Sequence, residues 1–145
     1  MEAKAGGDQA QSVVNAIEKA LENYQVFKVE IVQVPGYVES PIRIDSKRLE
    51  DHFVYKVTIG DIRGNPYRTD LVAALKSLTT ESRETPVDLR WGLIFYNEDG
   101  TRAGSIYFDR SGRHGAVNDE PMNFDGIWSN SLFNWLKDNF GSCLR

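Results

Sequence analysis

The sequence predicts an α+β domain on a mainly antiparallel sheet, and three observations carry that prediction. The hexapeptides Phe95-Tyr96-Asn97-Glu98-Asp99-Gly100 and Tyr107-Phe108-Asp109-Arg110-Ser111-Gly112 repeat one pattern of two aromatics, Asn or Asp, two polar residues and glycine. Each reads as a strand entering a type I turn closed by a left-handed glycine, so the pair sets a three-stranded meander. Two earlier stretches alternate apolar and polar residues with the period of a strand, and both ends of the chain carry apolar residues at helical spacing.

In chain order, residues 1–7 are small and polar and read as a disordered tail ahead of one domain over residues 8–145. Ala10, Val13, Val14, Ile17, Ala20, Leu21 and Tyr24 give an amphipathic helix over about residues 8–23. Phe27, Val29 and Ile31 alternate with Lys28 and Glu30 in a first strand; Phe53, Tyr55, Val57 and Ile59 do so in a second. A short helix opened by Pro66 or Thr69 carries Leu71, Val72, Leu75 and Leu78. Residues 79–86 read as loop, and the meander covers residues 88–118. A short fourth strand follows through Met122 and Phe124. Trp128, Leu132, Trp135, Leu136 and Phe140 mark a last helix over about residues 129–139. The order is α-β-β-α-β-β-β-(β)-α, a sheet of five or six strands packed against the N- and C-terminal helices.

If both turns are three-residue bulged loops, Asn97 pairs with Thr101 and Asp109 with Arg113. Counting outward, Phe95 meets Ala103, Leu93 meets Ser105 and Trp91 meets Tyr107, which in turn meets Gly115. The helices are expected on the Trp91 face. The opposite face then carries Ile94, Tyr96, Arg102, Gly104, Ile106, Phe108 and His114, covered by the chain's own residues 35–51 or by a helix, or left partly open to a partner.

Composition narrows the function classes. A net charge of −4 over 145 residues argues against a nucleic-acid binder, since phosphate neutralisation needs a cationic surface. No apolar run reaches bilayer length, so no membrane insertion is expected. The single Cys143 excludes an intrachain disulfide and a multi-cysteine zinc cluster. No signal segment is written at the N-terminus, so the cytoplasm is the default compartment, or the periplasm if a leader was removed. His52 and His114 lack metal-ligand spacing, and no nucleophile motif or phosphate loop occurs; no cofactor and no enzymatic activity are expected.

Two places remain as candidate binding sites. Residues 35–51 join strands that far fewer residues could join, and they carry Tyr37, Ile42 and Arg43. Ile42 and Ile44 there alternate as an extra edge strand would. The second place is the hairpin tip with Arg110, Arg113 and His114, cationic in an acidic chain. In size, acidity, α+β build and lack of a catalytic motif the chain resembles small bacterial proteins that neutralise enzymes, such as toxin-immunity proteins and periplasmic inhibitors. No motif carries that resemblance and no residue is transferred from it. It implies a non-catalytic protein-binding module whose partner is another protein, a toxin or enzyme with a basic surface that Asp119, Glu120 and Asp125 would attract. The alternatives are a small-ligand receptor or small enzyme with a pocket walled by Tyr96, Arg102 and His114, and a subunit that oligomerises through the open sheet face.

Overall fold

The computed structural model describes residues 2–124 and 131–141, with the backbone alone for residues 2–8. The alternating stretches become β1 (Val26–Gln33) and β2 (Tyr55–Ile59), and the meander becomes β4 (Trp91–Asn97), β5 (Arg102–Phe108) and β6 (His114–Val117). With β3 (Thr80–Ser82) and β7 (Glu120–Phe124) they form one seven-stranded sheet in the order β2-β1-β4-β5-β6-β7-β3. Every neighbouring pair is antiparallel. The helices are α1 (Glu2–Glu22), α2 (Ser46–His52), α3 (Tyr67–Ser77) and α4 (Ser131–Phe140).

The α+β class and the antiparallel sheet hold, while the strand count and order change at two places. Residues 79–86 contain β3, three polar residues with no apolar alternation to announce them. Their strand exists because β7 pairs with them and the Gln11 side chain of α1 accepts a hydrogen bond from the Thr80 N–H at 2.9 Å. Residues 35–51 contain α2 in place of the edge strand at Ile42 and Ile44. Asp45 caps that helix, its carboxylate accepting from Arg48 N at 2.8 Å, and Leu49 is its one buried residue. At the N-terminus α1 begins at Glu2, ahead of the start expected near residue 8. Trp128, Asp125 and Cys143 lie outside the described residues.

One face of the sheet meets α1, α3 and α4 in the main core, built from Val14, Ile17 and Leu21 of α1, Leu71 and Leu75 of α3, Leu132 and Leu136 of α4, and Leu93, Phe95, Ile106 and Phe108 of the sheet. Each such side chain contributes roughly 1.5–3 kcal/mol through burial alone. The placement of Ile106 and Phe108 there corrects the expected register. Asn97 N–H does bond to Thr101 O, but the ladder then skips Ala103, so Phe95 faces Gly104, Leu93 faces Ile106 and Trp91 faces Phe108. In the second hairpin Asp109 N–H bonds to His114 O, one residue beyond the expected Arg113, and Phe108 faces Gly115. A one-residue slip exchanges the two faces of β5. The large pair Ile106 and Phe108 enters the main core, and Ser105 and Tyr107 turn to the other side. Gly104 therefore lies under α1, where an added Cβ would come within 2.7 Å of Ile17 Cδ1.

The second face is covered by the chain itself. The strap over residues 34–52, with α2, crosses it, and so do residues 83–90, which return from edge strand β3 to β4. Val32, Val34, Ile44, Leu49, Leu89, Ile94, Tyr107 and Ala116 make a second core between these segments and the sheet. Oligomerisation through an open sheet face is thereby overturned.

Candidate functional site

The strap is locked from beneath by three residues on the returning segment, Asp88, Leu89 and Arg90. Ile44 N–H donates to Asp88 Oδ1 at 2.7 Å, and Leu89 N–H donates to Ile44 O at 2.8 Å. Arg90, only 4% exposed, donates from Nε to Asp88 Oδ2 at 2.7 Å. Its Nη1 donates to two strap carbonyls, Pro35 O at 3.0 Å and Val38 O at 2.6 Å. These two acceptors flank Tyr37, whose side chain stands out, 70% exposed. The Tyr55 hydroxyl beside the Tyr37 hydroxyl raises its pKa above the ordinary tyrosine value. Arg90 is thus the residue that organises the strap. Its only signal in the sequence is position, a charged residue directly before the apolar run of β4.

The other end of the strap is fixed through α2. Glu50 accepts from the Tyr107 hydroxyl at 2.6 Å and forms an ion pair with Arg102. Burial pushes the Tyr107 hydroxyl pKa up, and Ser105 and Arg102 pull it part of the way back. At the start of the helix the Ser46 hydroxyl donates to Asp119 Oδ1 at 2.7 Å.

Of the residues expected to bind a partner, Tyr37, Ile42 and Arg43 are all exposed on the strap, and Arg43 reaches back to Val87 O at 3.3 Å. Arg110 and Arg113 are exposed on the β5–β6 turn. The fold brings the two sites together at one point, since a Cβ at Gly36 would lie 3.7 Å from Arg110 Nε. His114 is drawn away from that tip, its Nδ1 lying 2.7 Å from Asn123 Oδ1, which also accepts from Arg83 Nη1 at 3.1 Å. Asp109 is occupied with its own turn, accepting from Ser111 N, Ser111 Oγ and Gly112 N.

The three residues expected to wall a pocket, Tyr96, Arg102 and His114, are each engaged with a neighbour. Arg102 is held by Glu50 and His114 by Asn123. Burial pushes the Tyr96 hydroxyl up to about pH 12, helped by its hydrogen bond to Glu30. A groove of about 290 Å³ does open farther along the same face, between the strap and β6–β7. Its lining includes Pro86, Val87 and Ala116 and the charged Arg43, Lys47 and Asp119.

Among the described residues no group of three or more His, Cys, Asp or Glu side chains could hold a metal ion. No helix among them is long and apolar enough to cross a membrane. Comparison with family models, with curated proteins and with solved structures finds no match to this chain.

Proposed function

We propose that the protein is a non-catalytic protein-binding module and that the strap from Tyr37 to Arg43 is its contact surface. One observation carries the reading: a buried guanidinium holds the carbonyls on both sides of an exposed tyrosine. Burying an arginine is costly unless its donors are satisfied, and here they are satisfied by the backbone of a loop. A loop held this way loses little freedom when a partner docks, which is where much of the cost of association arises. Tyrosine and arginine are also the residues that most often anchor protein interfaces. An enzyme or toxin neutralised by occlusion is the first partner class to test.

The experiment is site-specific photo-crosslinking in the source cells, with the reactive side chain at position 37 or, as a control, at Glu98 on the exposed β4–β5 turn. A discrete adduct from position 37, absent from position 98 and lost on Arg43→Ala, is expected. Identical products from both positions, or none from position 37, would overturn the reading. The alternative, a small-ligand receptor, is supported by the groove lined by Arg43, Lys47 and Asp119 among others. It predicts that a small polar molecule raises the thermal midpoint of the protein and that Arg43→Ala removes the effect.

A further inference from the structure

The two edges of the sheet are treated differently. Edge strand β3 has three residues, and α1 lies over it with Gln11 bonded to both the N–H and the hydroxyl of Thr80. A short, covered edge is how sheets avoid pairing with other chains. Edge strand β2 has five residues with no proline, and its one charge is Lys56. An edge lysine normally projects into solvent and repels an incoming strand. Lys56 is instead drawn back across β1, with Nζ 2.6 Å from Glu30 Oε2 and 5.7 Å from the Phe53 ring centre.

The backbone groups that face outward follow from the ladder. Val34 N–H bonds to Arg90 O on the β4 side, so the groups of Gln33 point to β2, where Gln33 O accepts from Val54 N–H. With Gln33 opposite Tyr55, Ile31 opposite Val57 and Val29 opposite Ile59, the groups of Tyr55, Val57 and Ile59 point at β1. The N–H and C=O groups of Lys56 and Thr58 point away from it.

We propose that this edge is the seam of a symmetric dimer, in which β2 of a second copy lies antiparallel to it about a two-fold axis at Val57. That register lets Lys56 exchange both backbone hydrogen bonds with Thr58 of the second copy, and Thr58 with its Lys56, so all four outward groups of each strand are paired. On the main-core side Val57 meets Val57 and Tyr55 meets Ile59, β-branched and aromatic pairs that favour strand pairing. On the other side each lysine meets a threonine, with no like charges opposed. A shift by one residue would set the outward groups of one strand against the inward groups of the other. Centring the axis on Lys56 would oppose two lysines. Phe53, 37% exposed, and Val54, 48% exposed, extend the apolar surface at each end of the seam. The two sheets would join into one of fourteen strands (7 + 7).

Sedimentation equilibrium of the full chain over a wide concentration range tests this, with Thr58→Lys as the main variant. That change sets lysine against lysine at two symmetric places in the dimer, so the dissociation constant is expected to rise on the order of tenfold. Within its own sheet position 58 lies opposite Glu30, so the monomer keeps or gains thermal stability and loss of the dimer cannot be put down to unfolding. In a Cys143→Ser background, Val57→Cys is expected to give a disulfide-linked dimer under mild oxidation. A monomer at every concentration, a dimer that Thr58→Lys leaves unchanged, or a Val57→Cys protein that never cross-links would each overturn the proposal. Tyr37 stands beside Tyr55 of the seam, so an adduct of two copies of this chain at position 37 reports the dimer, and an adduct with a different protein reports the strap contact.

Discussion

Arg90 Nη1 donates to Val38 O at 2.6 Å, joining the residue directly before strand β4 to a surface strap. The bond crosses from sheet to strap without involving the side chain that the strap displays. Rigidity is supplied from below, and the Tyr37 ring stays exposed above.

Replacing Arg90 with Met should remove the anchor, leaving the Val38 carbonyl without its side-chain donor and the Pro35 carbonyl with only the Val38 N–H. Breaking such a buried arrangement from one side should destabilise the fold by roughly 3 kcal/mol. Urea denaturation measures the loss. Amide exchange in residues 36–44 should accelerate more than exchange in β4 and β5, which distinguishes release of the strap from general weakening.

Leu49 is the only fully buried residue of α2 and packs in the second core. Leu49→Ala should cost about 2–5 kcal/mol. It should also raise binding of a hydrophobic dye, because the strap loses its hold on the sheet face. A cost under 1 kcal/mol (approximately) would mean that α2 contributes little to covering that face.

The contact between Gly104 and Ile17 predicts a coupled pair. Gly104→Ala alone should destabilise by about 1–3 kcal/mol, because the new methyl would sit 2.7 Å from Ile17 Cδ1. Ile17→Val alone should cost about 0.5–1.5 kcal/mol through the lost methyl. Together they should cost less than the sum, since the second change removes the atom that the first one meets. Additive costs in a double-mutant cycle would contradict the close approach of α1 to β5.

Glu30 and Tyr96 predict opposite behaviour at the two ends of the pH scale. Burial pushes the Glu30 carboxyl up, but hydrogen bonds from Lys56 and Tyr96, with the charges of Lys56 and Lys28, outweigh it and hold the pKa below the ordinary value. A depressed carboxyl pKa gives stability that is complete above the unfolded value, 4.5, and is lost as pH falls through the folded one. For Tyr96 the folded value is raised from 10.0 to about 12. Its contribution is complete below pH 10.0 and is lost as pH rises toward about 12. The difference in tyrosinate absorbance between the native protein and Tyr96→Phe should titrate near the raised value. Glu30→Gln should move it back toward 10.0, because the negative charge is gone and a neutral amide oxygen accepts more weakly than a carboxylate.

How much was legible in the sequence differs along the chain. Alternation in β1 and the apolar stripe of α1 were readable because each depends on neighbours a few residues away. So were the two turns, as far as Asn97 pairing with Thr101. The faces of β5 were not, because turn geometry and hydrophobic pattern disagreed there. The turn alone directed Ser105 and Tyr107 to the helices; the core took Ile106 and Phe108, and the ladder skipped Ala103 to allow it. Burial of two large apolar side chains is worth more than one regular turn-to-strand register.

The candidate site divides the same way. Tyr37, Ile42 and Arg43 could be singled out from a connection longer than its strands require, and all three are exposed. Arg90 could not, since nothing local distinguishes a buried arginine from a solvated one. Its partners at residues 35 and 38 are more than fifty positions away in the chain. By itself the sequence determined the α+β class, the principal helices and strands, and where a long exposed connection would fall, since period and turn chemistry are local. Only the tertiary structure decided which sheet face each β5 side chain joins, that the strap covers the second face, and which strand edge stays open. Those depend on long-range packing and on the pairing of buried polar groups, which no short stretch of residues encodes alone.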